Sequence, residues 1–213
     1  MKYVKMQDVF DELASHNKKV FSINDVAKII GKPKSYVSKL LSNNKRVWRI
    51  EKGKYYLKNR TGEVDIYEVA SQIVFPSYIS MFAAFQFYSI TEQSIVRYSV
   101  VTIKRHKTIE VRDNTIEFIT FNRKRFFGYK KVGNIYIASV EKAIIDSLYM
   151  GSPPISYVGD AFSEALKRKL IDIDMLTDMA SRMESKALMR RIFALLKSNG
   201  IATQKLKGVK HDG

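Results

Sequence analysis

Apolar positions near the start of the chain recur with the period of a helix. Met6, Val9, Phe10 and Leu13 fall at i, i+3, i+4 and i+7 and so share one face. A polar break, Ser15-His16-Asn17-Lys18-Lys19, follows. The spacing resumes at Ile23, Val26, Ala27 and Ile30. Ser22 can accept from the free N–H groups of that helix's first turn, and Asp25, three positions on, completes a short capping box. Gly31 ends the helix, where a left-handed residue is needed. Pro33 opens a third helix at its first position, where no N–H is required. Val37, Leu40 and Leu41 face inward; Lys34, Ser35, Ser38, Lys39 and Ser42 face outward, and only about Lys32 separates the two helices. Then the period drops to two: Val47-Trp48-Arg49-Ile50 and Tyr55-Tyr56-Leu57 predict a hairpin turning at Glu51-Lys52-Gly53-Lys54. A tight helix-turn-helix followed by a basic hairpin predicts a winged helix over residues 1–60.

Lys58-Asn59-Arg60-Thr61-Gly62 reads as a linker. Ile66, Val69, Ala70 and Ile73 mark an amphipathic helix. A second helix, about Ser77 to Tyr88, is apolar nearly all round (Ile79, Met81, Phe82, Ala83, Phe85, Phe87) and so is expected to be buried on every side. Short strands follow over residues 95–103, 108–111, 115–121, 126–132 and 134–138, with turns at Asp113-Asn114 and Val132-Gly133-Asn134. Helices resume: one capped by Ser139 and reaching about Tyr149, then 157–170, 174–183 and 185–198. The tail from Ile201, with Lys205, Lys207 and Lys210, is expected to be mobile. The predicted class is α+β: the winged helix, then over residues 61–213 a mixed α/β domain with a short-stranded sheet and C-terminal helices.

Val69 to Thr91 carries no charge, but Pro76 and several Ser and Gln residues make it too polar for a membrane span of about 20 apolar residues. Lys5, Asp8 and Asp11 interrupt the N-terminus before a signal-peptide core can form, so the cytoplasm is the expected compartment and no membrane partner is expected.

Charge sharpens the picture. The net charge is +16, of which residues 1–60 hold +10. A compact domain this basic attracts phosphate polymers and releases their counterions; solvated lysines are the alternative. Lys34, Ser35, Ser38 and Lys39 are the candidates for base edges and nearby phosphates. Tyr36 either stacks, reaches a phosphate or packs in the core. Lys32, Asn43, Asn44, Lys45 and Arg46 flank the third helix and would hold the backbone. Arg49, Lys52 and Lys54 put charge on the hairpin. No Arg lies on the outer face of the third helix, so the bidentate Arg–guanine contact is not expected. Residues 104–131 form a second basic stretch: Lys104, Arg105, Lys107, Arg112, Arg123, Lys124, Arg125, Lys130 and Lys131, against Glu110, Asp113 and Glu117. Interleaved with Phe126, Phe127 and Tyr129, it reads either as a second nucleic-acid surface or as a solvated sheet face with an aromatic core side.

Catalytic signals are sparse. There is no cysteine, hence no disulfide or thiolate metal site. His16, His106 and His211 are scattered, and no HExxH, GxSxG, P-loop or GxGxxG pattern occurs. Glu141, Lys142 and Asp146 are the one tempting trio for a metal-dependent nuclease. Five residues of helix turn Glu141 and Asp146 off a common face, which favours a first-turn acid plus an exposed or capping aspartate. No catalytic residue, metal or cofactor is expected.

Two stretches resemble a known family. Tyr78-Ile79-Ser80-Met81-Phe82-Ala83-Ala84-Phe85-Gln86-Phe87-Tyr88-Ser89-Ile90-Thr91-Glu92-Gln93 looks like the helix and Leu-Thr-Glu/Asp-Gln-like turn of the AbiEi antitoxins of type IV toxin–antitoxin systems. Ile137-Ala138-Ser139-Val140-Glu141-Lys142-Ala143-Ile144-Ile145-Asp146 is similar to that family's Ser-Pro-Glu-Lys/Arg-Ala-Ile/Leu-Ile/Leu-Asp segment. Val140 stands where the family has proline, and Phe87-Tyr88 where it has His-Gly. The resemblance covers most of residues 3–150. It implies a transcriptional repressor of its own operon, a monomer or weak dimer that binds inverted repeats of double-stranded DNA cooperatively. It also implies a nucleotidyltransferase toxin as functional partner, countered without a stable complex. The toxin's own Gly-Ser and Asp-x-Asp pattern is absent from this chain. Two rival readings stand beside it: a winged-helix-targeted nuclease, and a protein-interaction module with secondary DNA binding.

Overall fold

The structure, a computed structural model, describes residues 5–16, 18–58 and 62–202. The fold is α+β with two sheets and divides into two compact units. One comprises Met1–Phe75 with Gly133–Ile135, the other Pro76–Val132 with Tyr136–Gly213.

In the first unit the elements run α1 (Met6–Ser15), β1 (Val20–Ser22), α2 (Ile23–Ile30), α3 (Lys34–Ser42), β2 (Val47–Glu51), β3 (Lys54–Leu57) and α4 (Ile66–Gln72). The predicted helical faces are the ones buried: Val9, Phe10, Leu13, Val26, Val37 and Leu41 pack with Phe21, Tyr55 and Leu57 into one core. Burying a side chain of this size contributes about 1.5–3 kcal/mol. The capping box is complete, with Ser22 Oγ accepting from the Asp25 N–H and the Asp25 carboxylate accepting from the Ser22 N–H at 2.6 Å. Gly31 closes α2 at φ 62°. Pro33 stands one place earlier than expected, as the extended residue before α3 (ψ 148°); a missing N–H is harmless there too.

Strand β1 was not expected, because Val20 and Phe21 are a single apolar pair between the polar break and the Ser22 cap and show no alternation. It pairs antiparallel with β3, Val20 opposite Tyr56, and gives the sheet the order β1-β3-β2. Phe21 stacks on Tyr55 with ring centroids 5.9 Å apart.

The expected boundary after residue 60 also moves. Residues 59–61 of the expected linker lie outside the described residues, and α4 belongs to the first unit. The reason is Glu68, whose buried carboxylate accepts from the Tyr56 hydroxyl at 2.8 Å and the Asn134 amide at 3.2 Å and pairs with Lys19 at 2.9 Å. Burial and the adjacent Glu68 charge push the Tyr56 hydroxyl's pKa well above the usual tyrosine range.

The second unit contains β4 (Ser77–Ile79), α5 (Met81–Phe87), β5 (Arg97–Thr102), β6 (Ile109–Val111), β7 (Asn114–Thr120), a single 3-10 turn (Arg123–Arg125), β8 (Tyr129–Val132) and β9 (Ile135–Ala138). Helices α6 (Val140–Met150), α7 (Ile155–Lys167), α8 (Ile173–Arg182) and α9 (Lys186–Ser198) complete it. The sheet order is β6-β7-β5-β4-β9-β8. The helix expected from Ser77 is thus two elements. Ser77, Tyr78 and Ile79 form a central strand, antiparallel to β5 and parallel to β9, and the chain turns into α5 through Met81 at φ 56°. A strand buried on both faces reads as an unbroken apolar run and merges with a buried helix in sequence. Among the described residues, no helix is long and apolar enough to cross a membrane.

Candidate nucleic-acid interface

Val37 and Leu41 are at most 1% exposed, which fixes the rotation of α3. At about 100° per residue the opposite face centres on Lys39, flanked by Ser35, Tyr36 and Ser42. All four are exposed, as is Lys34. Tyr36 is 48% exposed, so of its three readings the core one falls away. Ser38 is half-buried at the side of the face, and its carbonyl accepts from Ser42 Oγ at 2.8 Å. Lys32 is half-buried in the turn before α3, while Asn43 and Lys45 are exposed after it.

Residues 26–50 hold seven Lys/Arg and no carboxylate. Of these, Lys34, Lys39 and Lys45 are exposed and form no ion pair among the described residues; at the hairpin tip Lys52 is likewise exposed, beside Gly53 at φ 79°.

Other expected contacts are spent inside the unit. Asn44 Oδ1 accepts from the Arg46 N–H at 3.0 Å. The Arg46 guanidinium lies 5.1 Å over the Phe10 ring and donates to Gln7 Oε1, tying the hairpin's base to α1. Arg49, by contrast, is not spent: it is exposed, and its bond to the Glu51 carbonyl is a long 3.4 Å. Lys54, expected on the phosphates, is instead a structural cation: it pairs with Glu51 at 3.0 Å and donates to the Ile73 carbonyl at 2.7 Å.

The second basic stretch does not form one surface. Lys104, Arg105 and Lys107 follow β5, and Arg123 and Lys124 follow β7, at one end of neighbouring strands. Lys130 and Lys131 sit on β8, at the far edge of the sheet, four strand spacings or roughly 19 Å from β7. They lie over the rings of Tyr88 and Tyr136 at 5.6 and 5.8 Å. Arg125 leaves the surface set altogether. It is half-buried, donates to the Met183 carbonyl and the Tyr149 hydroxyl at 2.8 Å each, and stacks 4.9 Å over the Tyr149 ring. Phe126 and Tyr129 pack against the buried Tyr78 at 5.1 and 4.8 Å; Phe126 is half-buried, whereas Tyr129 remains 36% exposed.

The Glu141-Lys142-Asp146 trio is likewise internal. Asp146 is neither exposed nor capping: it is fully buried, ion-paired with Lys142, and accepts from Ser80 Oγ at 2.7 Å and the Tyr78 hydroxyl at 3.1 Å. Burial drives the Asp146 carboxyl's pKa up and the Lys142 ammonium's down, each opposed by its partner's charge. The Lys142 ammonium also sits 4.7 Å from the Phe127 ring. Glu141 is buried and accepts from the Asp172 N–H at 3.0 Å. The one sequence signal for this pair was the i, i+4 spacing of opposite charges inside an apolar helix. His16 is exposed, His106 lies edge-on to Phe118 at 4.6 Å, and His211 is outside the described residues. No protein-family model matches the chain, and no curated protein matches it.

Proposed function

We propose that the first unit is a winged helix that binds double-stranded DNA, with α3 in the major groove and the β2–β3 tip on the phosphate backbone. The observation that carries this reading is the acid-free, cation-rich run of residues 26–50, folded so that Lys34, Ser35, Tyr36 and Lys39 lie outward on one helix. The element order α1-β1-α2-α3-β2-β3 and the sheet order β1-β3-β2 support it, since they put a hairpin beside a helix that follows a tight turn. Ser35 and Lys39 take the role of base readers, Tyr36 stacks or reaches a phosphate, and Lys34, Lys45, Arg49 and Lys52 hold the backbone.

We further propose that the protein is a repressor of the AbiEi antitoxin type, acting on its own operon and countering a nucleotidyltransferase toxin without a stable complex. Support comes from the way the two resembling stretches meet. Ile79 pairs with Ile137, Tyr78 and Ser80 donate to Asp146, and the Tyr88 hydroxyl donates to the Ala138 carbonyl at 2.8 Å. The departures from the family pattern fit too: Val140 occupies the first helical position after Ser139, where proline is tolerated but not needed.

The test is a binding titration at two salt concentrations, with DNA from upstream of the gene as probe and random duplex as competitor. Binding that survives the competitor supports an operator-reading repressor. Binding that random duplex displaces equally well removes sequence specificity and with it the repressor. The neighbouring gene is then expressed with and without this protein; unrelieved toxicity removes the antitoxin role alone.

A further inference from the structure

The second unit holds a cavity at the C-terminal end of β7, against the end of α6. Its volume is about 420 Å³, and it is lined by Phe118, Thr120, Phe121, Asn122, Tyr149 and Met150, with Arg125 at its wall. That volume lies within the range of small-molecule sites. Its lining is aromatic and aliphatic, yet several polar groups retain capacity. Asn122 Oδ1 accepts from the Arg125 N–H, which leaves its amide donors unspent. Tyr149 accepts from Arg125 through its hydroxyl oxygen, which leaves the hydroxyl proton to give. Thr120 is exposed at the mouth.

Arg125 is the one cation in the lining, and further basic residues adjoin the lining residues in the chain and across the sheet. Phe121 N–H bonds to the Thr102 carbonyl at 2.8 Å, which brings the segment after β5 alongside the segment after β7. Arg105 and Lys107 flank His106, whose ring meets Phe118, and Arg123 directly follows Asn122. Arg105, Lys107 and Arg123 are exposed and form no ion pair among the described residues. Lys124 adds a charge that Glu184, at 3.9 Å, offsets only weakly. Glu110 and Asp113 belong to the opposite end of β7, whose first residues pair with β6.

An aromatic recess with basic residues adjoining its lining suits a flat, uncharged π-face carried on a phosphate. We infer that this cavity takes an unstacked nucleobase with its phosphate on the Arg105–Lys107–Arg123 rim. In a duplex the base is stacked on both sides and cannot enter, so the site selects single-stranded nucleic acid or free nucleotide over double-stranded DNA. It stands apart from the reading of the first unit, and either can fail alone.

The experiment uses the full chain and fluorescence anisotropy with a labelled ten-nucleotide single strand of DNA or RNA, with a duplex of the same sequence in parallel. Two variants probe the site: Thr120→Trp, which fills the mouth, and the exposed pair Arg105→Glu/Arg123→Glu, which reverses the rim. Both should weaken single-strand binding at least about tenfold, the scale of one stacked base, with duplex binding unchanged. Unlabelled adenosine or uridine monophosphate then identifies the source. Displacement at micromolar concentration marks a nucleotide site, and displacement only by oligonucleotides marks a strand site. Loss through charge reversal while Thr120→Trp binds normally would leave only general phosphate attraction and overturn the inference. So would single-strand binding that neither variant changes.

Discussion

Lys142 and Asp146 form an ion pair one helical turn apart on α6, and neither side chain has any solvent exposure. Two hydroxyls, from Tyr78 and Ser80, complete the carboxylate's shell, so α6 is joined to the central strand and to the corner before α5. Removing one partner strands a buried charge, whereas removing both does not. Asp146→Ala should therefore lower the unfolding free energy by about 3–5 kcal/mol in urea titrations. Lys142→Met/Asp146→Leu should cost clearly less than the sum of the single variants. Single substitutions costing under about 1 kcal/mol would mean that the pair is not ionised in the folded chain.

Gly128 bounds the same ion pair. It holds φ 73°, and a Cβ there would meet the Lys142 stem at 3.0 Å. Gly128→Ala should cost about 1–3 kcal/mol through positive φ and crowding together. Equal Tm values for the variant and the parent chain would show that this loop yields without cost.

Asp25 sets a pH dependence for the first unit. Burial favours its neutral form, but hydrogen bonds from Lys18 and Ser22 outweigh that and hold its pKa below the usual carboxylate range. A carboxyl with a lowered folded-state pKa binds its proton more readily when unfolded. Its contribution is therefore complete above the unfolded value of about 4 and is lost as pH falls through the folded one. Asp25→Asn should cost about 1 kcal/mol at pH 7, the scale of a helix cap, and the difference should shrink towards zero near pH 2. Because Lys18 is 44% exposed, high salt should trim the effect at pH 7. Parallel Tm profiles of the two proteins from pH 7 to pH 2 would refute this account.

How far the sequence carried depended on the length and one-sidedness of each pattern. α1, α2 and α3 were legible because each has one apolar face and clear punctuation, as at Ser22 and Gly31. β1 and β4 were not: one is an apolar pair squeezed between the polar break and the α2 cap, the other is merged into an apolar run. On the candidate interface, periodicity pointed Ser35 and Lys39 outward and both are exposed, while Lys34 is exposed as the first residue of α3. It could not show that Lys54, Arg46 and Arg125 are consumed by Glu51, Phe10 and Tyr149, because those partners are set by tertiary contacts. A basic residue in sequence is a charge; only its neighbours decide whether that charge is available to a phosphate.

The hairpin tests that distinction. Lys52 is exposed at the tip, and Lys54 is held by Glu51 and the Ile73 carbonyl. Lys52→Ala should reduce the slope of log K against log salt by about 0.9 for duplex DNA and leave stability unchanged. Lys54→Ala should do the reverse: an unchanged slope and a lower Tm. A slope loss in Lys54→Ala would show that its internal bonds give way to phosphate on binding.

The outward face of α3 makes the sharpest prediction for specificity. Ser35 and Lys39 are exposed one turn apart, where a helix lying in the major groove meets base edges. A base contact discriminates between sequences, whereas a phosphate contact weakens all of them alike. Lys39→Ala should reduce binding to the upstream site by roughly tenfold while random duplex loses no more than the one phosphate contact predicted for Lys52→Ala. Trp48, the chain's one tryptophan, is half-buried on β2, so its emission reports on the same unit without a label. Equal losses on the upstream site and on random duplex would move Lys39 from base reading to backbone holding.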